Sequence, residues 1–221
     1  MREGVALEAG AKLKAVLVAS GDPLPSDEKW LDEADLVVAV DGGAGWLASI
    51  GRRPDALVGD LDSVEPWLVE RLEAEGVAVE RHATEKDSSD TELALAHTLR
   101  LGADRIVVLG ALGGERLDHE LANVLLLAGP PRLAGVDLRL VRGASCLRIL
   151  RAGGSLTLEG TPGSLVSLLP LGGDAVGVTT SGLRYALNDE PLHMGSTRGL
   201  SNVVAAQSAS VQLRQGTVLV I

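Results

Sequence analysis

The 221-residue sequence has few aromatic side chains and almost no cysteine: no Phe, one Tyr, three Trp and a single Cys. The lone Cys146 excludes an internal disulfide and a zinc site built from several cysteines. Single-stranded nucleic acids are usually bound by stacking bases on several aromatic rings, of which this chain has few. A net charge of −10 argues against the same function, because phosphate backbones are bound by clustered Lys and Arg. We therefore expect no nucleic-acid partner.

Long apolar runs are also missing. No stretch approaches the roughly 18 apolar residues of a membrane-spanning helix. The first residues, "MREGVALEAGAKLK", lack the apolar segment of a secretory signal. We expect a cytoplasmic protein without a membrane partner.

Short apolar runs recur in the first part of the chain, and several are nearly continuous, as in strands covered on both faces. The runs that we interpret as strands are 14–20, 35–41, 56–60, 77–82, 105–112 and 137–143. Helical signals lie between them. Alternation of strand and helix predicts an α/β domain with a mostly parallel sheet and flanking helices.

Three helix starts are predicted. Ser63 is a candidate cap for a helix with Pro66 in its first turn. "SDTE" at 89–92 fits a capping box. Asp118 is a plausible cap for "DHELANVLLLAG". The residues expected on buried helix faces or at helical spacing are Trp67, Leu68, Leu72, Leu95, Leu99, Leu121, Val124, Leu125 and Ala128.

After "RAGG" (151–154) the pattern changes to short, Gly-punctuated and partly alternating segments. This pattern is typical of a small antiparallel sandwich or barrel. The last segment, "SVQLRQGTVLVI", predicts a hairpin that turns near Gln215 and Gly216. We expect two domains: residues 1–150, an α/β domain, and residues 151–221, a small all-β sandwich. Residues 151–221 hold four side chains of each charge, so the whole net charge lies in the first domain.

Acidic side chains follow two of the predicted strands. Asp41 ends "DLVVAVD", and Asp60 ends "ALVGD". Ligands of open α/β sheets bind beyond the carboxyl ends of the strands. Asp60 and Asp62, two residues apart in extended chain, point to the same side and can share a cation. Mg²⁺ prefers such carboxylate oxygens and often bridges to substrate phosphates.

Two other stretches could bind phosphate. Asp87 and Asp90 lie at a predicted loop-to-helix junction, where free backbone N–H groups favour an anion. In "LGALGGERLDHELAN" (109–123), glycines follow a strand and Arg116 could fork onto phosphate oxygens. This segment is neither a Rossmann fingerprint nor a P-loop. For each acid the structural alternative, a helix cap or a solvated loop residue, stays open, as it does for Asp118 and His119.

Taken together and in this order, these motifs resemble the thiamine pyrophosphokinase family. The matching stretches, which cover the chain from about residue 14, are "DGGAGWL" (41–47), "PDALVGDLDS" (54–63), "KDSSD" (86–90), "GGERLDH" (113–119), "SGLRYAL" (181–187) and "RGLSN" (198–202). The resemblance implies an enzyme that transfers diphosphate from ATP to thiamine, giving thiamine diphosphate and AMP. It also implies a homodimer with the thiamine pocket between subunits, so that Tyr185 acts on the partner's site.

The resemblance also implies roles for individual residues. Asp60, Asp62 and Asp90 would surround Mg²⁺ and the triphosphate. The implied catalytic acids are Asp60, Asp62, Asp87 and Asp90, the implied nucleotide-side residues are Asp41, Gly42, Gly113, Arg116, Asp118 and His119, and the implied thiamine-side residues are Tyr185, Ser201 and Asn202. Thiamine carries a permanent positive charge, which suits acidic surroundings and an aromatic face.

The sequence departs from the family pattern at three places. Ser89 replaces a Thr, Tyr185 stands where some members have Trp, and residues 198–200 differ before the late Ser-Asn. Three alternatives remain: another metal-dependent phosphoryl or nucleotidyl transferase, a nucleotide or thiamine sensor without turnover, and a purely structural use of the acids.

Overall fold

The structure is a computed structural model that describes residues 13–129, 133 and 135–221. It divides the chain into two compact units, Met1–Ser145 and Cys146–Ile221. The boundary therefore falls near the start of the strand Ser145–Arg151, whereas the sequence analysis put it after that segment.

The first unit contains a parallel sheet whose strands coincide with the six predicted runs. They are β1 Leu13–Val18, β2 Leu36–Val40, β3 Ala56–Gly59, β4 Ala78–Arg81, β5 Ala103–Leu109 and β6 Asp137–Arg142. Their order is β4-β3-β2-β1-β5-β6, and every neighbouring pair is parallel. Leu17, Leu57 and Ile106 are completely buried, as expected for strands covered on both faces. The predicted α/β sheet is confirmed.

Helices join these strands: α1 Lys29–Asp32, α2 Gly43–Ser49, α3 Pro66–Ala74, α4 Asp90–Arg100 and α5 Leu117–Leu127. Ser89 caps α4, because its hydroxyl accepts a hydrogen bond from Glu92 N at 3.2 Å. No helix in the described part of the chain has the length and apolar character needed to cross a membrane.

Two predicted helix starts are wrong. Ser63 does not cap α3, whose first flanking residue is Glu65; the Ser63 hydroxyl donates to Asp62 instead. Asp118 is not the cap of α5 but lies in its first turn, after Arg116. In both cases a nearby charged side chain is the stronger hydrogen-bond partner.

The expected burial of two helices also differs. Leu68 and Leu72 of α3 are buried, but the Trp67 ring is 56% exposed, with the Arg71 guanidinium 5.4 Å from its centroid. On α5, Leu121 and Leu125 are exposed, while the helix buries Asn123 and Leu127. The spacing of Leu121 and Leu125 places them on one face of α5, but the helix buries the face that carries Asn123 and Leu127.

The chain changes direction across the sheet at β1. After moving outward to β4 it returns to β5, on the other side of β1. The loops after β1 and β5 touch there: Gly21 N donates to Gly110 O at 2.8 Å. A Cβ on Gly110, whose φ is +64°, would lie 2.3 Å from Ala19 O, so only glycine fits. Such a switch point is where ligands bind in open α/β sheets.

The second unit is built from antiparallel strands. They are β7 Ser145–Arg151, β8 Ser155–Leu158, β9 Leu165–Val166, β10 Leu168–Pro170, β11 Ala175–Ser181, β12 Glu190–Leu192, β13 Asn202–Val203, β14 Ala209–Gln215 and β15 Thr217–Val220. Strands β10-β15-β7 form one sheet and β12-β11-β14-β8 another, with β13 and β9 as a separate pair. Both sheets contribute to one apolar core, which includes Leu150, Val178, Val211 and Val218. The predicted sandwich is therefore confirmed.

The predicted terminal hairpin is wrong. Strands β14 and β15 follow each other around Gly216, but β14 pairs with β11 and β8, and β15 pairs with β10 and β7. Gly216 has φ +95°, and a Cβ there would lie 2.6 Å from Asp174 O. The turn therefore carries the chain from one sheet to the other instead of folding it back on itself.

Candidate functional site

Three aspartates meet beyond the carboxyl ends of β2 and β3. Asp41 directly follows β2, Asp60 directly follows β3, and Asp62 lies two residues further on. Each offers a carboxylate oxygen, and these oxygens lie within 4.8 Å of one another. Three carboxylates at this separation repel each other unless a cation lies among them.

Asp41 is the buried member of the group. It is 7% exposed, and its Oδ1 is buried without a hydrogen-bond partner among the residues that the structure describes. Burial raises the pKa of this carboxyl above its usual range; an interaction with Ser63 opposes the rise, and the charges of Asp90, Asp60 and Asp62 add to it. A buried, unpartnered oxygen facing two further carboxylates is the chemical environment that a hard divalent cation satisfies.

The backbone around the aspartates has unusual torsion angles. Asp41 has φ +46° and Leu61 has φ +66°, both in the left-handed region that non-glycine residues rarely adopt. Each such residue costs about 1 kcal/mol or more and tends to occur at functional sites. Gly59 supplies the close approach, because a Cβ there would lie 3.1 Å from Asp41 Cβ.

A lysine joins this group to the next helix. Lys86 Nζ lies 2.7 Å from Asp60 Oδ2 and 2.9 Å from Asp90 Oδ1. The hydrogen bond from Lys86 lowers the pKa of Asp60. Burial alone would lower the pKa of Lys86, but its interactions with Asp60 and Asp90 outweigh burial and raise it. At neutral pH Lys86 and Asp60 are therefore both charged.

The two acidic residues of "KDSSD", Asp87 and Asp90, are not members of the group formed by Asp41, Asp60 and Asp62. Asp90, the first residue of α4, reaches the group through Lys86 and is not one of the three mutually close carboxylates. Asp87 is exposed. Sequence reasoning assigned no role to Lys86, although its spacing of four residues from Asp90 was a usable signal for an ion pair.

The glycine-rich loop after β5 is held by acidic side chains. Gly113 N donates to Glu120 Oε1 at 3.0 Å, and Gly114 N donates to Asp22 Oδ2 at 3.2 Å. The buried Asn123 amide donates to Ala111 O at 3.0 Å. Backbone N–H groups that donate to carboxylate oxygens here are also suited to donate to phosphate oxygens.

Arg116 forms a bidentate salt bridge with Asp118, two residues further along the chain. Nε donates to Oδ1 at 2.9 Å and Nη2 to Oδ2 at 2.6 Å, with both side chains largely exposed. This pairing holds the pKa of Asp118 well below its usual range. His119 is also exposed. A phosphate bound by Arg116 would compete with Asp118 for the same donors.

Gly42 and Gly43 allow the loop after β2 to approach β1. A Cβ on Gly42 would lie 3.1 Å from Ser20 Oγ, and a Cβ on Gly43 would lie 1.9 Å from Val18 O. The side chain of Ser63, near Gly42, donates to Asp62 Oδ1 at 2.9 Å. These contacts seat Asp41 beside the loop that carries Asp60 and Asp62.

Tyr185, Ser201 and Asn202, which the resemblance placed on the thiamine side, all lie in the second unit. The Tyr185 side chain is exposed, Ser201 has φ +55°, and the Asn202 side chain is buried. The Asn202 side-chain amide donates to Tyr185 O through Nδ2 and accepts from Tyr185 N through Oδ1. Its contribution is therefore to position the Tyr185 segment.

Two family models match the chain. "Thiamin pyrophosphokinase, catalytic domain" matches residues 28–134, and "Thiamin pyrophosphokinase, vitamin B1 binding domain" matches residues 155–218. Together they cover well over half of the sequence, and they fall in the two units.

Individual relatives agree with these models. The chain is 27% identical over 212 residues to the thiamine pyrophosphokinase of Bacillus subtilis (strain 168), covering 95% of this chain and 98% of that relative. It is 26% identical to thiamine pyrophosphokinase 1 of Oryza sativa subsp. japonica, covering 81% and 76%. The crystal structure of the Bacillus subtilis enzyme superposes with a TM-score of 0.81 at 28% identity, covering 94% and 97%. The thiamin pyrophosphokinase of Candida albicans shares the fold, with a TM-score of 0.79 at 17% identity.

Proposed function

The chain belongs to the thiamin pyrophosphokinase family, and we propose that it transfers a diphosphoryl group from ATP to the hydroxyl of thiamine, giving thiamine diphosphate and AMP. The observation that carries the proposal is the group of three aspartates at the carboxyl edge of the sheet, inside the segment that matches the family's catalytic domain. The match to a vitamin B1 binding domain supports thiamine as the acceptor.

We propose that the aspartate group holds Mg²⁺. Asp60 and Asp62 were expected as ligands from the sequence, and Asp41 joins them in the proposal because its buried Oδ1 lacks a partner. Asp90 remains a proposed ligand that shares the site through Lys86, and Asp87 a proposed catalytic acid nearby. When bound, the ion neutralises triphosphate charge that a cluster of carboxylates would otherwise repel.

The nucleotide side of the proposed site is the switch point between β1 and β5. Asp41, Gly42, Gly113, Arg116, Asp118 and His119 are the residues that we assign to it. The close backbone approach of this region and its exposed Arg116 suit a phosphate chain, once the Arg116 fork is released from Asp118.

The reaction needs positioning more than covalent help from the protein. The thiamine hydroxyl oxygen attacks the β-phosphorus and loses its proton to solvent, the bond between that phosphorus and the α,β-bridging oxygen breaks, and AMP leaves with the bridging oxygen. Tyr185 is proposed to face the thiamine ring cation, with Asn202 and Ser201 supporting the segment. These residues orient the acceptor, and the acidic residues hold the donor end.

We further propose a homodimer in which Tyr185 completes the partner's site, and a cytoplasmic location. The leucines Leu117, Leu121 and Leu125 of α5 are exposed in the single chain, and an exposed apolar patch of this kind supports contact with a second subunit. The molecular mass in solution, measured by light scattering, tests the dimer: a monomer at micromolar concentration would contradict it.

The activity is tested by incubating the purified protein with ATP, thiamine and Mg²⁺ and reading the products by mass spectrometry. Thiamine diphosphate together with AMP, both lost on adding EDTA or in D62N, is the expected result. ADP with thiamine monophosphate would instead indicate single phosphoryl transfer at the same site. A folded, dimeric protein that forms no product would contradict the proposal and favour a sensor or another acceptor alcohol.

A further inference from the structure

We propose that Lys86 is a built-in counter-ion of the acidic site: it positions Asp60 and Asp90, and its charge limits how tightly the site binds a divalent cation. This inference rests on the proposed metal site and concerns a residue to which the sequence motifs assigned no role.

Lys86 is placed for this role by both distance and burial. Its Nζ contacts Asp60 Oδ2 at 2.7 Å and Asp90 Oδ1 at 2.9 Å. Its side chain is 15% exposed, and that of Asp60 is 9% exposed. At this depth, removing one partner leaves a charge that solvent compensates poorly, so losing Lys86 costs more than losing one member of a surface pair. The contact fixes Asp60 Oδ2, so the Asp60 carboxylate has one preferred orientation toward its neighbours.

The acidic group is more than a cluster of like charges. Asp41 is over nine-tenths buried, and its Oδ1 has no hydrogen-bond partner among the described residues. A carboxylate oxygen of Asp41 lies within 4.8 Å of oxygens of Asp60 and Asp62. Lys86 therefore compensates one side of the group and leaves the side with Asp41 available for a second cation.

A single lysine between two acids and a metal has two opposing effects. Without metal, its positive charge relieves repulsion among four carboxylates, which stabilises the folded chain. With metal, the same charge repels the ion, and repulsion between charges a few ångström apart near a protein surface is large enough to lower the affinity about tenfold. Removing the charge should therefore lower stability without metal and raise metal affinity.

An account in which Lys86 is only structural predicts a different sign. If the ammonium merely held Asp60 in place, its loss would disorder a ligand and weaken metal binding. The direction of the change in affinity therefore separates the two accounts, and it does so without reference to turnover.

The test is a titration of the full-length protein with Mn²⁺, followed by electron paramagnetic resonance, for the wild type and two variants. In K86Q the amide keeps a donor for one aspartate but loses the charge, and we expect a Kd about tenfold lower. In K86R the charge stays, and we expect a Kd within about threefold of wild type. K14Q is the matched control, because the Lys14 side chain forms an exposed pair with Glu33.

Thermal unfolding in EDTA gives the second readout. K86Q should melt below wild type in EDTA and gain more from saturating Mn²⁺ than wild type does. K14Q should behave as wild type in both conditions. Weaker Mn²⁺ binding in K86Q, or a melting temperature unchanged in EDTA, would overturn the proposal.

Two further outcomes are informative. If K86Q does not fold, K86M removes the charge, keeps a side chain of similar length for packing and leaves every proposed metal ligand in place. It should also bind Mn²⁺ more tightly than wild type, and weaker binding would favour the purely structural account. If the wild type binds no Mn²⁺, both the proposed metal site and this inference are wrong. If the wild type binds Mn²⁺ and K86Q binds it no more tightly, only this inference is wrong.

Discussion

Asn202 holds the main chain of Tyr185 from both sides: its Nδ2 donates to Tyr185 O at 2.7 Å, and its Oδ1 accepts from Tyr185 N at 3.0 Å. The same Oδ1 accepts from Val203 N at 2.8 Å. Asn202 is 7% exposed, whereas Tyr185 is 63% exposed. A buried amide thus presents an exposed aromatic ring, and its polar atoms are used on the protein itself.

Asn202→Ala should therefore act on substrate binding through Tyr185. We expect the KM for thiamine to rise about tenfold with a smaller change in kcat, because the Tyr185 segment loses its anchor. The free energy of unfolding should fall by about 1–3 kcal/mol, since buried backbone groups lose a partner. Steady-state kinetics and urea unfolding check both. Asn188→Ala, at an exposed position in the same segment, is the control, and an unchanged KM in N202A would contradict the positioning role.

Asp41→Asn should have opposite effects on stability and activity. Because burial and three neighbouring carboxylates raise the Asp41 pKa, its ionised form is disfavoured in the folded state. This penalty is absent below the unfolded pKa and grows as pH rises toward the folded one, so the neutral amide should be more stable than wild type at pH 7 in EDTA. Turnover should fall at least about a hundredfold. Melting curves and product assays test this, and a D41N variant less stable than wild type in EDTA would refute it.

Glu80 should contribute pH-dependent stability. His97 Nδ1 lies 2.5 Å from Glu80 Oε2, and Arg100 Nη2 donates to the same oxygen at 2.8 Å. Burial alone would raise the pKa of Glu80, but these partners outweigh burial and lower it. The stabilisation is therefore complete above the unfolded pKa of about 4.5 and is lost as pH falls through the lower folded value.

The variant Glu80→Gln tests this pH dependence. It should cost about 1 kcal/mol at pH 6 and less at pH 3, because below the unfolded pKa of about 4.5 wild type loses this contribution progressively. Urea unfolding at the two pH values measures the difference. Glu85→Gln, at an exposed position, serves as the control. An equal cost of E80Q at both pH values would show that the carboxylate charge is not responsible.

Gly43 and Gly45 of α2 form a matched pair for a stability test. A Cβ on Gly43 would lie 1.9 Å from Val18 O, whereas a Cβ on Gly45 would meet nothing within 4 Å. Gly43→Ala should destabilise by about 3 kcal/mol or more, because α2 would have to move away from β1. Gly45→Ala should stabilise by about 0.5–1 kcal/mol through helix propensity. Thermal unfolding of both distinguishes them, and similar melting temperatures would argue against the close contact.

The sequence alone was sufficient for the elements and for part of the site. All six strands of the first unit were predicted from apolar runs, because strands covered on both faces need continuous apolar sequence. Ser89 was predicted as a helix cap from a pattern within four residues, and its bond to Glu92 N confirms the cap. Asp60 and Asp62 were paired by spacing, and their carboxylates do lie close together.

The predictions that were wrong concern features that depend on contacts between distant parts of the chain. The exposure of Trp67 and of the Leu121 face of α5 depends on which neighbour covers each helix, which spacing does not specify. The separation of β14 and β15 at Gly216 depends on which strands compete to pair with each. Local patterns describe what a segment can form, and the choice among partners lies outside the segment.

The same distinction holds within the site. Sequence spacing joined Asp60 to Asp62, but Asp41 is brought to them by the parallel register of β2 and β3, and Lys86 reaches Asp60 across 26 residues. The acidic chemistry was therefore present in the sequence. Its geometry, with one buried oxygen left unpartnered and one lysine between two acids, was decided by the tertiary structure, because only packing removes water and sets the distances over which charges act.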